Sequence, residues 1–179
     1  MASYTKVFVQ WEKRWWDDLA ENPESAHKRN LFTVLLDEGD EQSKWRLVND
    51  LLPLGKHPKS DDPQSRTLVF TSVGQESLRV QSLSESELKS ELMAKLGRAF
   101  PQHSVPEPKA IYSPKWDHDP LFRGAYSVVE ATDTVDADSD LRAPILQDGH
   151  GAIHFAGEAM HAFYKGYLST AYLSGQEEA

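Results

Sequence analysis

Near the start of the chain, Tyr4, Lys6, Phe8 and Gln10 alternate with Thr5, Val7, Val9 and Trp11. This period of two, carried largely by β-branched and aromatic residues, predicts a strand with no run-up. NLFTVLLD (30–37) and KWRLVNDLLPL (44–54) read as further strands, HPKSDDPQS (57–65) as a polar loop, and RTLVFTSVG (66–74) as a fourth strand halted by Gly74. Ser84 followed by Glu87 is a capping-box pattern, and Leu88, Leu92 and Leu96 form a stripe at helical spacing that ends before Phe100 and Pro101. AIYSPKW (110–116) and GAYSVV (124–129) are short strand candidates, and EATDTVDADSD (130–140) reads as an acidic loop. The closing IHFAGEAMHAFYKGYLSTAYLSG (153–175) predicts a strand stopping at Gly157, one exposed acid at Glu158, a loop, and a final helix starting near Gly166. The order implies an α+β fold, a mixed, mainly antiparallel sheet carrying helices, with a seam near Trp116–Gly124 that divides the chain into 1–115 and 116–179.

The 179 residues suffice for one domain or two small lobes, and 39% hydrophobic residues with five Trp place the chain among folded proteins. The net charge of −9 and the lack of any basic run longer than a pair argue against a nucleic-acid partner. An acidic surface attracts cations such as amines, although ordinary solubility produces the same balance. With no cysteine, disulfides, thiolate catalysis and Cys-ligated metals are excluded. No apolar run suggests a membrane span and neither terminus carries an address signal, so the expected location is cytoplasmic by default.

Seven His raise the question of a metal, but Gly149 and Gly151 bracket His150 and disfavour a shared helical face with His154, and no metal site is expected. Asp136–Asp140 resembles the opening of a calcium loop, yet Leu141 stands where the turn glycine is needed and Gln147 where the bidentate acid is needed. Nucleophile-elbow, Walker, kinase and dinucleotide glycine motifs are missing from the sequence. Lys6 shares a strand face with Tyr4 and Phe8, where an amine either reaches out to water or is tuned for chemistry. The strand, loop and helix at the end suit an anionic group held at a helix start.

Taken together, YTKVFVQWEKRWW (4–16), PKWDHDPLFRGAYS (114–127), LRAPI (141–145) and the closing segment resemble the C-terminal portion of the flavin-dependent amine oxidases, on the polyamine oxidase side of that family. The resemblance implies FAD as cofactor. It sets Gly157 and Glu158 against the flavin, aims the helix starting at Gly166, Tyr167 and Leu168 at the flavin's pyrimidine end, and packs Trp116 near the ring. It assigns Tyr126 and Tyr167 to the two aromatic side chains flanking the substrate amine, and Lys6 to the lysine that holds a water beside flavin N5. The reaction implied is amine oxidation to an imine, with dioxygen reduced to hydrogen peroxide.

The resemblance covers most of the family's substrate-domain sheet and then the terminal strand and helix of the FAD-binding domain. The glycine-rich turn that grips the FAD pyrophosphate has no counterpart in these residues. An N-terminal FAD-binding polypeptide is therefore expected as a partner, or self-association through exposed apolar surface, and the isolated chain is expected to be inactive. A non-catalytic interaction protein and an inactive remnant are the alternatives. Thr170 stands where relatives often have glycine.

Overall fold

The alternation at the start of the chain becomes the centre of the architecture. The computed structural model describes residues 1–19, 31–32, 45, 47–51, 66–128, 137–148, 150–161 and 164–179. Strands β1 (Tyr4–Gln10), β2 (Leu31–Phe32), β3 (Leu47–Asp50), β4 (Thr67–Val73) and β5 (Ala110–Tyr112) form one sheet in the order β2-β3-β4-β1-β5. Every pair is antiparallel, so the parallel component of a mixed sheet is not found among the described residues. Most of the expected second strand, part of the third, the 57–65 loop and 129–136 lie outside the described residues.

The core lies on one face of this sheet. Val7 and Val9 stand opposite Phe70 and Leu68 in the β1–β4 register, and all four are at most 1% exposed. The Leu88, Leu92 and Leu96 stripe of helix α2 (Glu85–Ala99) completes the same cluster with Trp11, Trp15, Trp16 and Trp45. Ser84 and Glu87 form the capping box in full, side chain to backbone in both directions. Three of the buried indoles find acceptors: Trp11 in the Pro106 carbonyl at 2.8 Å, Trp16 in Asp50 at 3.1 Å and Trp45 in Glu91 at 2.9 Å. Arg14 binds Asp50 at 2.6 Å and lies over the Trp16 ring, closing that end of the core with a well-paired buried charge.

Several elements differ from the sequence expectation. Gly74 does not merely stop β4. At φ 59° it turns the chain directly into helix α1 (Gly74–Ser82), whose buried face is Ser77, Val80 and Gln81. That face is mostly polar, so a search for apolar periodicity passes over it. GAYSVV is not a strand among its described residues. It makes one isolated bridge, Ala2 with Tyr126, because Arg123 at φ 54° and Gly124 at φ 145° bend the chain just before it. Overlapping the end of the supposed acidic loop, Ala137–Arg142 forms helix α3, with Arg142 in the last turn favourable to the helix dipole. The last strand, β7 (His150–Ile153), ends well before Gly157 and pairs with β6 (Ile145–Gln147) in a separate two-stranded sheet. A 3-10 turn, Glu158–Met160, precedes the final helix α4 (Leu168–Glu177).

Burial is uneven along the chain. Every buried large apolar side chain among the described residues falls between Val7 and Leu96, whereas past Trp116 the buried side chains are Thr170 and Ser174. Leu121, Leu146, Leu168 and Tyr172 are each more than 60% exposed. No helix among the described residues is long and apolar enough to cross a membrane.

The contrast predicts opposite outcomes for one kind of substitution. Leu92→Ala should cost about 2–5 kcal/mol of unfolding free energy, while Leu168→Ala, at a residue 90% exposed, should change it by less than about 0.5 kcal/mol. Denaturant titration of the two variants checks both.

Candidate active site

The β1 face turned away from the core carries Tyr4, Lys6 and Phe8, which floor an open hollow of about 880 Å³. Tyr112, Pro114 and Trp116 form one wall, Ala125 and Tyr126 a second, and Lys165, Gly166 and Tyr167 a third. Elements from both ends of the chain therefore meet here. They are tied by the Ala2 N–H to the Tyr126 carbonyl at 2.8 Å and the Ala125 N–H to the Ala2 carbonyl at 2.9 Å.

The lining is mainly aromatic. Tyr4 and Tyr126 meet edge to face at 6.1 Å, Phe8 and Tyr112 lie 6.2 Å apart, and Lys6 Nζ sits 5.9 Å from the Tyr4 ring centre. Trp116 is braced from outside by Phe122 at 4.8 Å. Gly166 is needed twice over: its φ is 85°, and an added Cβ would lie 3.1 Å from the Tyr126 ring. No Asp or Glu lines the hollow among the described residues, so the net charge of −9 does not extend into it.

A hydrogen-bonded frame stands behind the third wall. Glu158 accepts from the Ser127 N–H at 2.9 Å and hydroxyl at 2.7 Å through one oxygen, and from the Gly166 N–H through the other. Burial pushes the Glu158 carboxyl up, but the Ser127 and Gly166 hydrogen bonds and the Lys165 charge outweigh it, so its pKa lies below the ordinary 4.5. The Ser174 hydroxyl accepts from the Gly157 N–H at 2.7 Å and thereby fastens α4 to the loop. Thr170 donates its hydroxyl to the Tyr167 carbonyl at 2.6 Å, an intrahelical bond made at the position where glycine was the expected residue. The start of α4 at Tyr167 has no side-chain cap and no acid in its first turn, and the Glu158 carboxylate bonds one residue before it, at the Gly166 N–H.

Of the residues singled out from sequence, Lys6, Trp116, Tyr126, Gly166 and Tyr167 share the hollow's lining. Glu158 stands one hydrogen bond behind it, Gly157 is held by Ser174, and Leu168 points its side chain to solvent; none of these three lines the hollow. Tyr4 and Phe8 were legible as neighbours of Lys6 through their alternation. Tyr112, Pro114, Ala125 and Lys165 were missed, because nothing in their spacing sets them apart.

Against this geometry, comparison with known proteins is decisive for the family. The family described as "Flavin containing amine oxidoreductase" matches the chain over residues 1–179. This chain belongs to the flavin-containing amine oxidoreductases. It is 30% identical over 179 residues to polyamine oxidase 6 of Oryza sativa subsp. japonica, covering 100% of this chain and 32% of that protein. It is also 30% identical over 183 residues to lysine-specific histone demethylase 2 of Homo sapiens, of which it covers 19%. Among solved structures, a redesigned triple mutant of putrescine oxidase gives a TM-score of 0.68 at 21% identity, over 99% of this chain and 34% of that one. Cyclohexylamine oxidase from Brevibacterium oxydans gives 0.65 over the same 99% and 34%. The amine oxidoreductase family is one of FAD-dependent amine oxidases, and this chain spans about a third of the length of the polyamine oxidases it matches.

The frame behind the hollow has a pH signature. A carboxylate whose folded pKa is depressed contributes stability that is present above its unfolded value and lost as pH falls through the folded one. The melting-temperature difference between the wild type and Glu158→Gln should therefore be widest near neutrality and shrink below pH 4.5. Amide exchange at Ser127 and Gly166 should be faster in the variant at neutral pH, and equal rates would show that the clamp does not hold the wall.

Proposed function

We propose that these residues form the substrate-side portion of an FAD-dependent amine oxidase, converting an amine to an imine that water hydrolyses, with dioxygen reduced to hydrogen peroxide. On this reading residues 1–115 belong to the substrate domain and 116–179 to the end of the FAD-binding domain. The observation that carries it is the convergence of Lys6, Trp116, Tyr126 and Tyr167 on one aromatic hollow.

The residues present suit a flavin ring. The faces they offer are aromatic, Gly166 has no side chain to hinder a flat group, and the uncapped start of α4 favours negative charge beside Tyr167. Bound FAD supplies the two-electron relay between amine and oxygen. The groups that hold its pyrophosphate and ribose lie in sequence beyond these 179 residues, supplied by an N-terminal FAD-binding segment.

The chain's own residues then orient, dry and tune the reactants. The Tyr126 and Tyr167 rings hold the amine between them, with a cation–π contribution of roughly 0.5–2 kcal/mol while it is charged. Their faces, with Trp116, exclude water from the reacting carbon. Lys6 Nζ holds a water by hydrogen bond where hydrolysis or oxygen reduction needs a proton donor. Lys6 and Lys165 also disfavour a protonated amine nearby, so the free base is favoured, the form whose nitrogen lone pair assists loss of hydride from the adjacent carbon. The exposed apolar side chains past Trp116 give the FAD-binding segment a surface to pack on, and the same surface supports the second reading, an interaction protein without catalysis.

A chimera joining the N-terminal portion of the rice relative to this chain tests the proposal. It should retain flavin absorbance on purification and release peroxide in the presence of a polyamine or a simple amine, whereas a colourless chimera, with the separate N-terminal portion still binding this chain in trans, supports the interaction reading instead. Lys6→Met in the active chimera should slow turnover by about a hundredfold or more while keeping the flavin. An unchanged rate refutes the role given to Lys6.

A further inference from the structure

The opposite side of the hollow's floor carries a second feature that the mechanism above leaves unused. Tyr4, Lys6 and Phe8 face the hollow, whereas Thr5 between them and Ser3 just before β1 bond on the other side. Thr5 meets Ser77 of α1 at 2.6 Å, oxygen to oxygen. The Gln81 side-chain amide donates to Thr5 at 2.9 Å and to the Asp117 carboxylate, whose other oxygen accepts from the Ser3 hydroxyl at 2.6 Å. Thr5, Ser77 and Gln81 are all at most 1% exposed. This is a closed polar network joining β1, α1 and the 115–124 turn beneath the hollow.

Its outer end controls a single peptide unit. The Asp117 N–H donates to Gln81 Oε1 at 3.0 Å, and the carbonyl of the same peptide, that of Trp116, accepts from the Gly124 N–H at 3.1 Å. The backbone that carries Trp116 is thus gripped at both ends. The Gly124 end leads within two residues to Tyr126. Apolar side chains could fill the same buried volume, but they would not specify one orientation of that peptide. Directional bonds do so, because each group left unpaired when buried costs about 1–3 kcal/mol.

We propose that Gln81 and Asp117 are positioning residues: they lock Trp116, and through Gly124 the wall bearing Tyr126, at a fixed distance from Lys6. The proposal rests on the reading of the hollow as the amine and flavin site, but its geometric content is measurable without either ligand. Gln81→Met keeps the bulk and removes every hydrogen bond. The double variant Gln81→Glu with Asp117→Asn reverses donor and acceptor across the pair and should restore the grip. Ser3→Ala, outside the core, removes one donor to the carboxylate and should give a smaller change of the same kind.

Nitrogen-edited NMR of the full chain reads the outcome. In Gln81→Met the Trp116 indole N–H signal should shift and split or broaden at temperatures well below unfolding, together with the Lys6 and Tyr126 amides, while the Trp11 indole signal in the core stays in place. The reversed pair should restore a single Trp116 signal. If Gln81→Met does not fold, Ser3→Ala carries the same measurement. A lowered melting temperature with an unmoved Trp116 signal overturns the proposal and reduces the network to a stabilising one. A chimera without oxidase activity but with the displaced Trp116 signal overturns the functional reading and leaves the positioning result standing.

Discussion

The pairing of β1 with β4 decides what every other part of the molecule can do. Its register runs without a break from Tyr4 opposite Val73 to Gln10 opposite Thr67. Since side chains alternate along a strand, this ladder sends Thr5, Val7 and Val9 to the core and Tyr4, Lys6 and Phe8 to the hollow. A slip by one residue would expose both valines and press Lys6 into the apolar cluster. Burying an unpaired ammonium costs several kcal/mol beyond the apolar area lost, so the register is specified from both faces at once. The chemistry of the hollow and the stability of the core are therefore two readings of one strand.

The other walls are held by a different kind of force. Beyond Trp116 no described large apolar side chain is buried, and Tyr126, Gly166 and Tyr167 are kept in place by polar bonds: the Ala2 pairing, the Glu158 clamp and the Ser174 tether. Hydrogen bonds near the surface open at lower cost than a packed core. The floor of the hollow should accordingly outlast its third wall under stress. On the proposed reading, this is the wall that an FAD-binding segment would stiffen, because whatever covers the apolar side chains around it stabilises the folded arrangement by mass action.

The parts legible in the sequence are those in which a local pattern and the tertiary demand coincide. β1 declared itself because both of its faces are committed, and α2 because a capping box and a leucine stripe fall in phase. α1 stayed hidden because its buried face holds Ser77 and Gln81, which look like surface residues until their partners Thr5 and Asp117 are known. The 124–129 segment looked like a strand because its residues favour one, but its pairing partner is Ala2, near the start of the chain, and it reaches that partner through two residues at positive φ. Lys6, Trp116, Tyr126 and Tyr167 were reached through family resemblance, and their gathering depends on contacts remote in sequence. Lys165 lies inside the closing segment that carries the resemblance, but neither pattern nor resemblance gave it a role.

Charge shows most clearly how far bulk properties can mislead about a site. The chain carries −9 overall, yet the hollow is lined by two lysines and no acid among the described residues. At exposed sites, opposing charges 4 Å apart are worth only about 1 kcal/mol in water and fade within a Debye length of about 8 Å at physiological salt. An acidic surface therefore draws cations towards the protein but does little to hold one in the hollow. Inside, Lys165 is partly offset by Glu158, whose carboxyl feels its charge, whereas Lys6 has no ion pair among the described residues. Lys6 then contributes the less compensated charge, and on the proposed reading the aromatic faces of Tyr126 and Tyr167 supply the attraction it opposes. On the proposed reading, an amine held by ring faces against a positive floor would be favoured without its extra proton, the state that oxidation requires.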